Sequence, residues 1–392
     1  MRRGWIAALA GMTVFAVVID AILMVPGVGS WLADTGRDLF GPAPVAFAEE
    51  VLYGAVDSWD RWRHGDEAPQ ALWNPDVGPY QSPLDRLLAN PDGPGGDTGG
   101  EVADTAAEGG AFPPEDFRPL VASNGDGRWS PYPIPADGPP PHPAMYRAMV
   151  HPDRERPYAA VAVVAMDVHQ LAVRVVPGTV HPITPAAVHN PRTGMVPAED
   201  RPNLVALFNG GWETKNGNLG MIVDGETLLP LNNWGCAILL YEDDHIGILP
   251  GPLARKEVGV RSARQAVPCL VQNGHPHKDL DDASSKDWGS AIGGKSIVRR
   301  SAVGLDTTGQ IFFYGVGDSL SAKSLADAMV AAGATTVAML DINQTFPFFF
   351  ALDPDTSWDT PTLLPILKNM LDPKGAFLDH GYYKDFFYVV KR

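Results

Sequence analysis

Cysteine is scarce: Cys236 and Cys269 are the two in 392 residues. A disulfide-dense scaffold and every four-cysteine zinc site are thereby excluded. One bridge or two buried thiols remain open, and the redox compartment decides between them. Positive charge is also short, with 30 Lys and Arg against 46 Asp and Glu and a formal net charge of −16. Unspecific nucleic-acid binding through a basic surface is excluded on that ground. The deficit is concentrated early, since residues 1–145 hold 8 Lys and Arg against 20 Asp and Glu. No internal repeat, G-x-G-x-x-G or P-loop is present, and neither Ser296 nor Ser301 sits in a G-x-S-x-G context.

What is present begins with Met1-Arg2-Arg3 and an apolar stretch from Trp5 to Val28 whose only charged residue is Asp20. Its length suffices to cross a bilayer. No A-x-A site follows closely, so residues 1–30 read as an uncleaved signal anchor with the body outside the cytoplasm, anchored in the inner membrane. A cleaved signal peptide, giving a periplasmic or secreted protein, is the alternative that Asp20 keeps open. Leu52, Val56, Trp59 and Trp62 then recur at helical spacing, so 31–63 reads as an amphipathic juxtamembrane helix region. Because its polar face is not basic, docking on the body outweighs a membrane-surface role. PDGPGGDTGG (91–100) and PYPIPADGPPPHP (131–143) mark 64–145 as an acidic, Pro/Gly-rich linker.

The body, 146–392, is rich in short β-branched runs. Residues 158–178 read as a strand pair, with further strands at Leu204–Phe208, Leu219–Val223, Ala237–Tyr241, Ala302–Leu305, Gln310–Val316 and Thr335–Leu340. One helix is clear over 325–332, with Ser321 or Ser324 as its cap and Gly333 as its stop. The tail 363–390 mixes a short helix with aromatic-rich strand. The fold class expected is α+β, a mixed, mainly antiparallel twisted sheet with few helices.

Four segments, FNGGWETKNGNLGMIVDGE (208–226), AVPCLVQNG (266–274), RRSAVGLDTTGQIFFYGV (299–316) and SLADAMVAAGATTVAMLD (324–341), resemble the phosphodiester glycosidase domain family. That family includes the uncovering enzyme of mannose 6-phosphate tags, and its bacterial members are often linked with envelope polysaccharides. The resemblance covers about 150–392. It departs from the family where Asp341-Ile-Asn-Gln-Thr-Phe-Pro replaces a glycine-rich Asp-Gly-Gly-x-Ser turn, and where Glu213 follows Trp212 in place of an aromatic.

Cleaving a sugar from a phosphodiester expels a phosphate, whose second pKa is about 6, so little acid assistance is needed. A guanidinium fork to hold the phosphodiester and a carboxylate to activate water or stabilise an oxocarbenium-like sugar are the requirements. The resemblance therefore implies Asp341, Arg300, Asn209 and Glu213 as catalytic candidates. Arg299, Gly210, Gly211, Trp212 and Asn343 are the substrate-binding ones, Arg299 competing with Arg300 for the anion. Capping of a turn by Asp341 and a surface strand position for Arg300 are the plainer readings. No metal or other cofactor is required; His275, Pro276, His277, Asp279, Asp281 and Asp282 have the donor types of a zinc or calcium site, but a polar loop is the preferred reading. Asp224-Gly225 reads as a hairpin turn. The expected partners are a glycan or sugar-phosphate substrate and, through the span, the membrane, with no nucleic acid. The function implied is glycoside hydrolysis of a sugar-phosphodiester or related envelope glycan. The alternative is an inactive relative that binds envelope polysaccharide or supports its export. On the enzymatic reading, Asn209, Arg300 and Asp341 must converge on one cleft.

Overall fold

A computed structural model describes residues 41–65 and, with short gaps, 112–392, together with scattered positions between 32 and 73; the gaps are 122, 124, 135–142, 186–187, 283–284, 286, 290–295, 357–360 and 371–374. The expected span at 5–28 lies outside the described residues. Among those described, no helix is long and apolar enough to cross a membrane.

Helix α1 (Pro42–His64) opens the described chain. The strands that follow are β1 (Ser130–Pro131), β2 (Met145–Val150), β3 (Val161–Asp167), β4 (Leu171–Val176), β5 (Leu204–Asn209) and β6 (Met221–Val223). Next come β7 (Glu226–Leu229), β8 (Cys236–Tyr241), β9 (Ile246–Pro250), β10 (Val260–Ala266), β11 (Val271–Gln272) and β12 (His275–Pro276). The chain closes with β13 (Val298–Leu305), β14 (Ile311–Leu320), helix α2 (Ala322–Ala331), β15 (Thr336–Ile342), β16 (Phe349–Leu352), β17 (Leu363–Pro365) and β18 (Phe386–Lys391).

Three sheets result, with strand orders β1-β2-β3-β14-β13-β15-β11-β12, β7-β6-β10-β8-β9 and β17-β16-β5-β18-β4. Neighbouring strands run antiparallel throughout these ladders, so the few-helix α+β expectation holds in its coarse form. The first sheet is buried on both faces. One face carries α2, whose Leu325 and Met329 pack with Val161, Val163, Ala302, Phe313 and Met339. The other packs Val164, Val303, Phe312, Tyr314 and Leu340 against Phe208, Phe349 and Phe387 of the third sheet. Double coverage explains why strands such as β3 and β13 read as apolar runs rather than alternating ones.

Helix α2 starts where expected. Ser321 and Ser324 form a reciprocal capping box, and Gly333 at φ +106° ends it. Asp224 and Gly225, both at positive φ, make the turn between β6 and β7.

Three expectations need correction. The run 158–178 yields two strands that do not pair: β3 joins β2 and β14 while β4 joins β18. Continuous burial on both faces, not hairpin alternation, is what their residues encode. The stretch expected as linker through 145 touches the fold at Leu72 and Trp73 and is part of it from Phe112: Phe112 and Phe117 pack on the α2-side core, Trp129 and Tyr132 are buried, and β1 pairs with β2. Within it Asp126, wholly buried, meets His151 Nδ1 at 2.8 Å. A few aromatics anchor a segment whose average composition hides them. The described residues of 363–390 contain strand but no helix.

Cys236 and Cys269 are bridged, with Cα atoms 4.9 Å apart. The closed loop of 33 residues ties the start of β8 to the turn after β10. Replacing both cysteines by alanine is expected to lower unfolding stability by about 3 to 4 kcal/mol in the chain-entropy model. Denaturant midpoints measure that loss, and thiol titration of the unreduced wild type is expected to find no free thiol.

Candidate functional site

The ends of β5, β13, β15 and β18 meet where the third sheet packs on the first. At the centre lies a buried ion pair between β10 and the start of β18. Arg264 Nε donates to Asp385 Oδ2 at 2.7 Å and its Nη2 to Oδ1 at 3.2 Å, with both side chains fully buried. Arg264 also donates to the carbonyls of Trp212, Leu219 and Gln265. Asp385 accepts from the backbone N–H of Gly211 at 2.9 Å. Charge, fork and lone pairs are thus matched, as burial of such a pair demands.

This pair dictates the Asn209-Gly210-Gly211 sequence. A Cβ on Gly210 would sit 2.0 Å from Asp385 Oδ2, and one on Gly211 2.8 Å from Arg264 Cζ. None of the three residues has positive φ, so these glycines serve close approach rather than left-handed backbone. The Asn209 amide is fully used. Its Nδ2 donates to Gly210 O and Ser301 Oγ, each at 3.0 Å, and its Oδ1 accepts from Tyr314 Oη and Phe348 N. Trp212 donates from its indole to Leu340 O at 2.9 Å.

Ser301 Oγ in turn donates to Asp341 O, so Asn209, Ser301 and Asp341 do converge. Asp341 Oδ2 accepts from Lys384 Nζ, and Oδ1 from Ile342 N at 2.9 Å. Glu213 Oε1 lies 3.8 Å from both Lys384 Nζ and His181 Nε2, and its Oε2 3.1 Å from Lys215 Nζ. Two carboxylates therefore share one nearly buried ammonium. Burial raises the Asp341 carboxyl from its ordinary 3.8 to about 6, and Glu213 adds to the rise while Lys384 opposes it. Burial likewise lowers His181, although Glu213 pulls it up.

Arg300 does not join them, contrary to expectation. It is wholly buried on the α2 side, donating from Nε to Leu320 O, from Nη1 to Trp288 O and from Nη2 to Ser296 O. Burial without a carboxylate partner pushes it down to about 9. The reason is parity: Arg299 and Ser301 share the inner face of β13, and Arg300 points the other way. Arg299 forks onto Asp318 at 2.6 and 3.1 Å, while its buried Nη1 finds no acceptor among the described residues. A register shift between β13 and β15 at Arg300/Ala302 re-aims the end of β15.

The loop after Asp341 narrows the site. The Phe346 ring lies 3.8 Å from Lys384 Nζ, and Ile342 packs against Gly289. Asn343 adopts φ +144°, in the region that favours glycine, and its Oδ1 accepts from Thr345 N. His277 Nδ1 accepts from Asp279 N and its ring meets Trp288. No group of three metal-ligating side chains gathers among the described residues. Arg264, Lys384 and Asp385 escaped the sequence reading. The available signal was a pair of charges, Lys384-Asp385, abutting the apolar run FFYVV.

The model of the phosphodiester glycosidase family matches residues 202–341, ending at Asp341 itself. No curated protein matches the chain significantly. Among solved structures, the zebrafish N-acetylglucosamine-1-phosphodiester alpha-N-acetylglucosaminidase catalytic domain, auto-inhibited by its pro-peptide, is 13% identical with a TM-score of 0.41, covering 64% of this chain and 85% of that one. A hypothetical protein from Synechocystis is 12% identical with a TM-score of 0.40, covering 65% of this chain and 64% of that one.

Two outcomes follow from the electrostatics. Arg264→Met strands a buried carboxylate and is expected to cost about 3 to 5 kcal/mol, measured by chemical denaturation. Native Asp341, with its raised pKa, keeps a proton that the unfolded chain has lost, so its contribution to stability falls as pH climbs from about 4 to about 6. The stability difference between Asp341→Asn and wild type is expected to move in favour of the asparagine variant over that window, as seen in melting curves at stepped pH.

Proposed function

We propose, with the phosphodiester glycosidase match of residues 202–341 as premise, that the body hydrolyses a sugar-phosphodiester or related envelope glycan. The observation that carries this reading is the Asp341–Lys384–Glu213 cluster at the end of the matched segment. A carboxyl raised to about 6 is ionised at neutral pH yet remains a stronger base than an ordinary aspartate, which suits activation of water or support of a developing oxocarbenium ion. The leaving phosphate needs little protonation. Lys384 keeps Asp341 ionised, and Glu213 at the rim is a second carboxylate for proton movement. Arg299, whose Nη1 finds no acceptor among the described residues, replaces Arg300 as the residue proposed to receive a phosphoryl oxygen, because its side chain lies on the same strand face as Ser301. Arg300 instead donates to the carbonyls of Trp288 and Ser296.

A body outside the cytoplasm belongs to the same proposal. The apolar stretch at 5–28 and the buried Cys236–Cys269 bridge support it, since structural disulfides persist in oxidising compartments.

Two observations favour a second reading, an inactive glycan binder: Arg300 lies on the strand face away from Asp341, and Phe346 covers Lys384 while Ile342 fills the space beside Gly289. Release of reducing sugar from sugar-1-phosphodiesters by the full chain separates the two. For the enzyme, kcat is expected to rise with pH through about 6 as Asp341 ionises. Asp341→Asn is expected to reduce kcat by roughly 100-fold or more, within the usual range for losing a general base, and to remove that limb. Arg299→Lys is expected to raise KM, since an ammonium keeps charge but loses the fork. Glycan binding without turnover by the wild type selects the binder.

A further inference from the structure

Helix α1 has two opposite faces with different tasks. On one side Asp57 is buried against the body, where Arg156 forks onto it at 2.6 and 2.8 Å. His64, on the same side, contacts the Tyr158 ring at 5.9 Å. At 100° per residue, the opposite arc contains Pro44, Phe47, Ala48, Val51, Gly54, Ala55, Ser58, Trp59 and Trp62. Not one of these is charged, and every one is exposed. The large apolar members are far from covered: Phe47 is 58% exposed, Val51 55%, Trp59 57% and Trp62 75%. The two indoles lie 5.0 Å apart. Arg61, whose Nε also lies 3.3 Å from Asp57 Oδ2, and Arg63, both exposed, flank the arc on either side near its C-terminal end. A soluble helix docked on a body normally turns its polar side to water. Here the side turned away from the body is the apolar one.

We propose that this outward face of α1 lies in the headgroup region of a lipid bilayer, so that the helix is a plate clasped between membrane and body. The chemistry fits that occupant. Indole rings prefer the membrane–water boundary, aliphatic and phenyl groups reach below it, and flanking guanidinium groups meet phosphate headgroups. Chain connectivity supplies the bilayer: the apolar stretch ends at Val28 and α1 begins at Pro42, so the intervening residues span at most about 50 Å. Once residues 5–28 insert, α1 stays within about 50 Å of the surface. Membrane contact by a single helix of this kind is weak, but tethering makes it intramolecular and raises the local concentration. The Asp57–Arg156 clasp then transmits orientation to the body, so the candidate site is held at the membrane surface rather than at the end of a free tether. This inference rests on the proposed membrane tether and is independent of glycosidase activity.

The test uses the full chain reconstituted in vesicles of phosphatidylcholine and phosphatidylglycerol. An environment-sensitive fluorophore is placed at Val51→Cys or Ala55→Cys on the outward arc, and at Lys323→Cys on the body. Nitroxide-bearing lipids are expected to quench the Val51 and Ala55 labels at least twofold more than the Lys323 label, with aqueous iodide giving the reverse order. The double variant Trp59→Ser, Trp62→Ser is expected to cut the lipid quenching at Val51 while leaving denaturant stability unchanged, because both rings are exposed. Iodide quenching at Val51 and Ala55 equal to that at Lys323 overturns the proposal. So does protection from both quenchers, which means that protein, either residues 5–28 or a second copy, covers the face. A chain that fails to float with the vesicles refutes the tether itself; one that floats with unquenched labels refutes only the face.

Discussion

The buried pair of Arg264 and Asp385 is the interaction from which the candidate site is built. It joins β10 of the second sheet to the start of β18 in the third, and the Gly210-Gly211 backbone lies directly on it. Two ions without water are tolerable only when every lone pair and N–H is matched, and here four backbone groups complete the set. Those bonds fix where β5 ends. They also fix where residue 384 must stand, one step before Asp385, and so place an ammonium beside Asp341.

Beside that hub, joined to it through the Gly210 backbone, a polar chain runs from Tyr314 to Asn209, Asn209 to Ser301 and Ser301 to the Asp341 carbonyl. Each of these groups is spent on the next, which leaves the chemistry to the side chains at its rim, Asp341, Lys384 and Glu213. Candidates chosen by residue type alone mix both kinds. Asn209 and Arg300 have the right chemistry for a site, yet their hydrogen bonds are consumed in holding strands and loops together.

The altered loop after Asp341 shows how a departure from a family pattern is absorbed. Where the resemblance expects glycine, Asn343 takes a glycine-favoured φ and recovers part of the cost through an Asx bond to Thr345. Ile342 uses the freedom of Gly289 to pack, and Phe346 lies over Lys384. The loop thus fills space beside Lys384 and Gly289.

The sequence alone determined what is local or periodic. The strand runs, the Ser321–Ser324 cap, the Asp224-Gly225 turn and the existence of α1 follow from spacing and turn chemistry acting over a few residues, although Trp59 and Trp62 of its apolar stripe turn away from the body. The ordered segments ending at Asp341 were enough to suggest the family. Only tertiary structure decided which charges meet. Arg264 and Asp385 are separated by 121 residues, and neither looks different from a surface charge until the sheets stack. Arg299 and Arg300 are equal in sequence, and the pleat of β13 separates a guanidinium forked onto Asp318 from one wholly buried among the carbonyls of Trp288, Ser296 and Leu320. The bridge between Cys236 and Cys269 was one of two open readings until packing brought their Cα atoms to 4.9 Å. Burial and parity are properties of the assembled sheets, whereas propensity belongs to the chain.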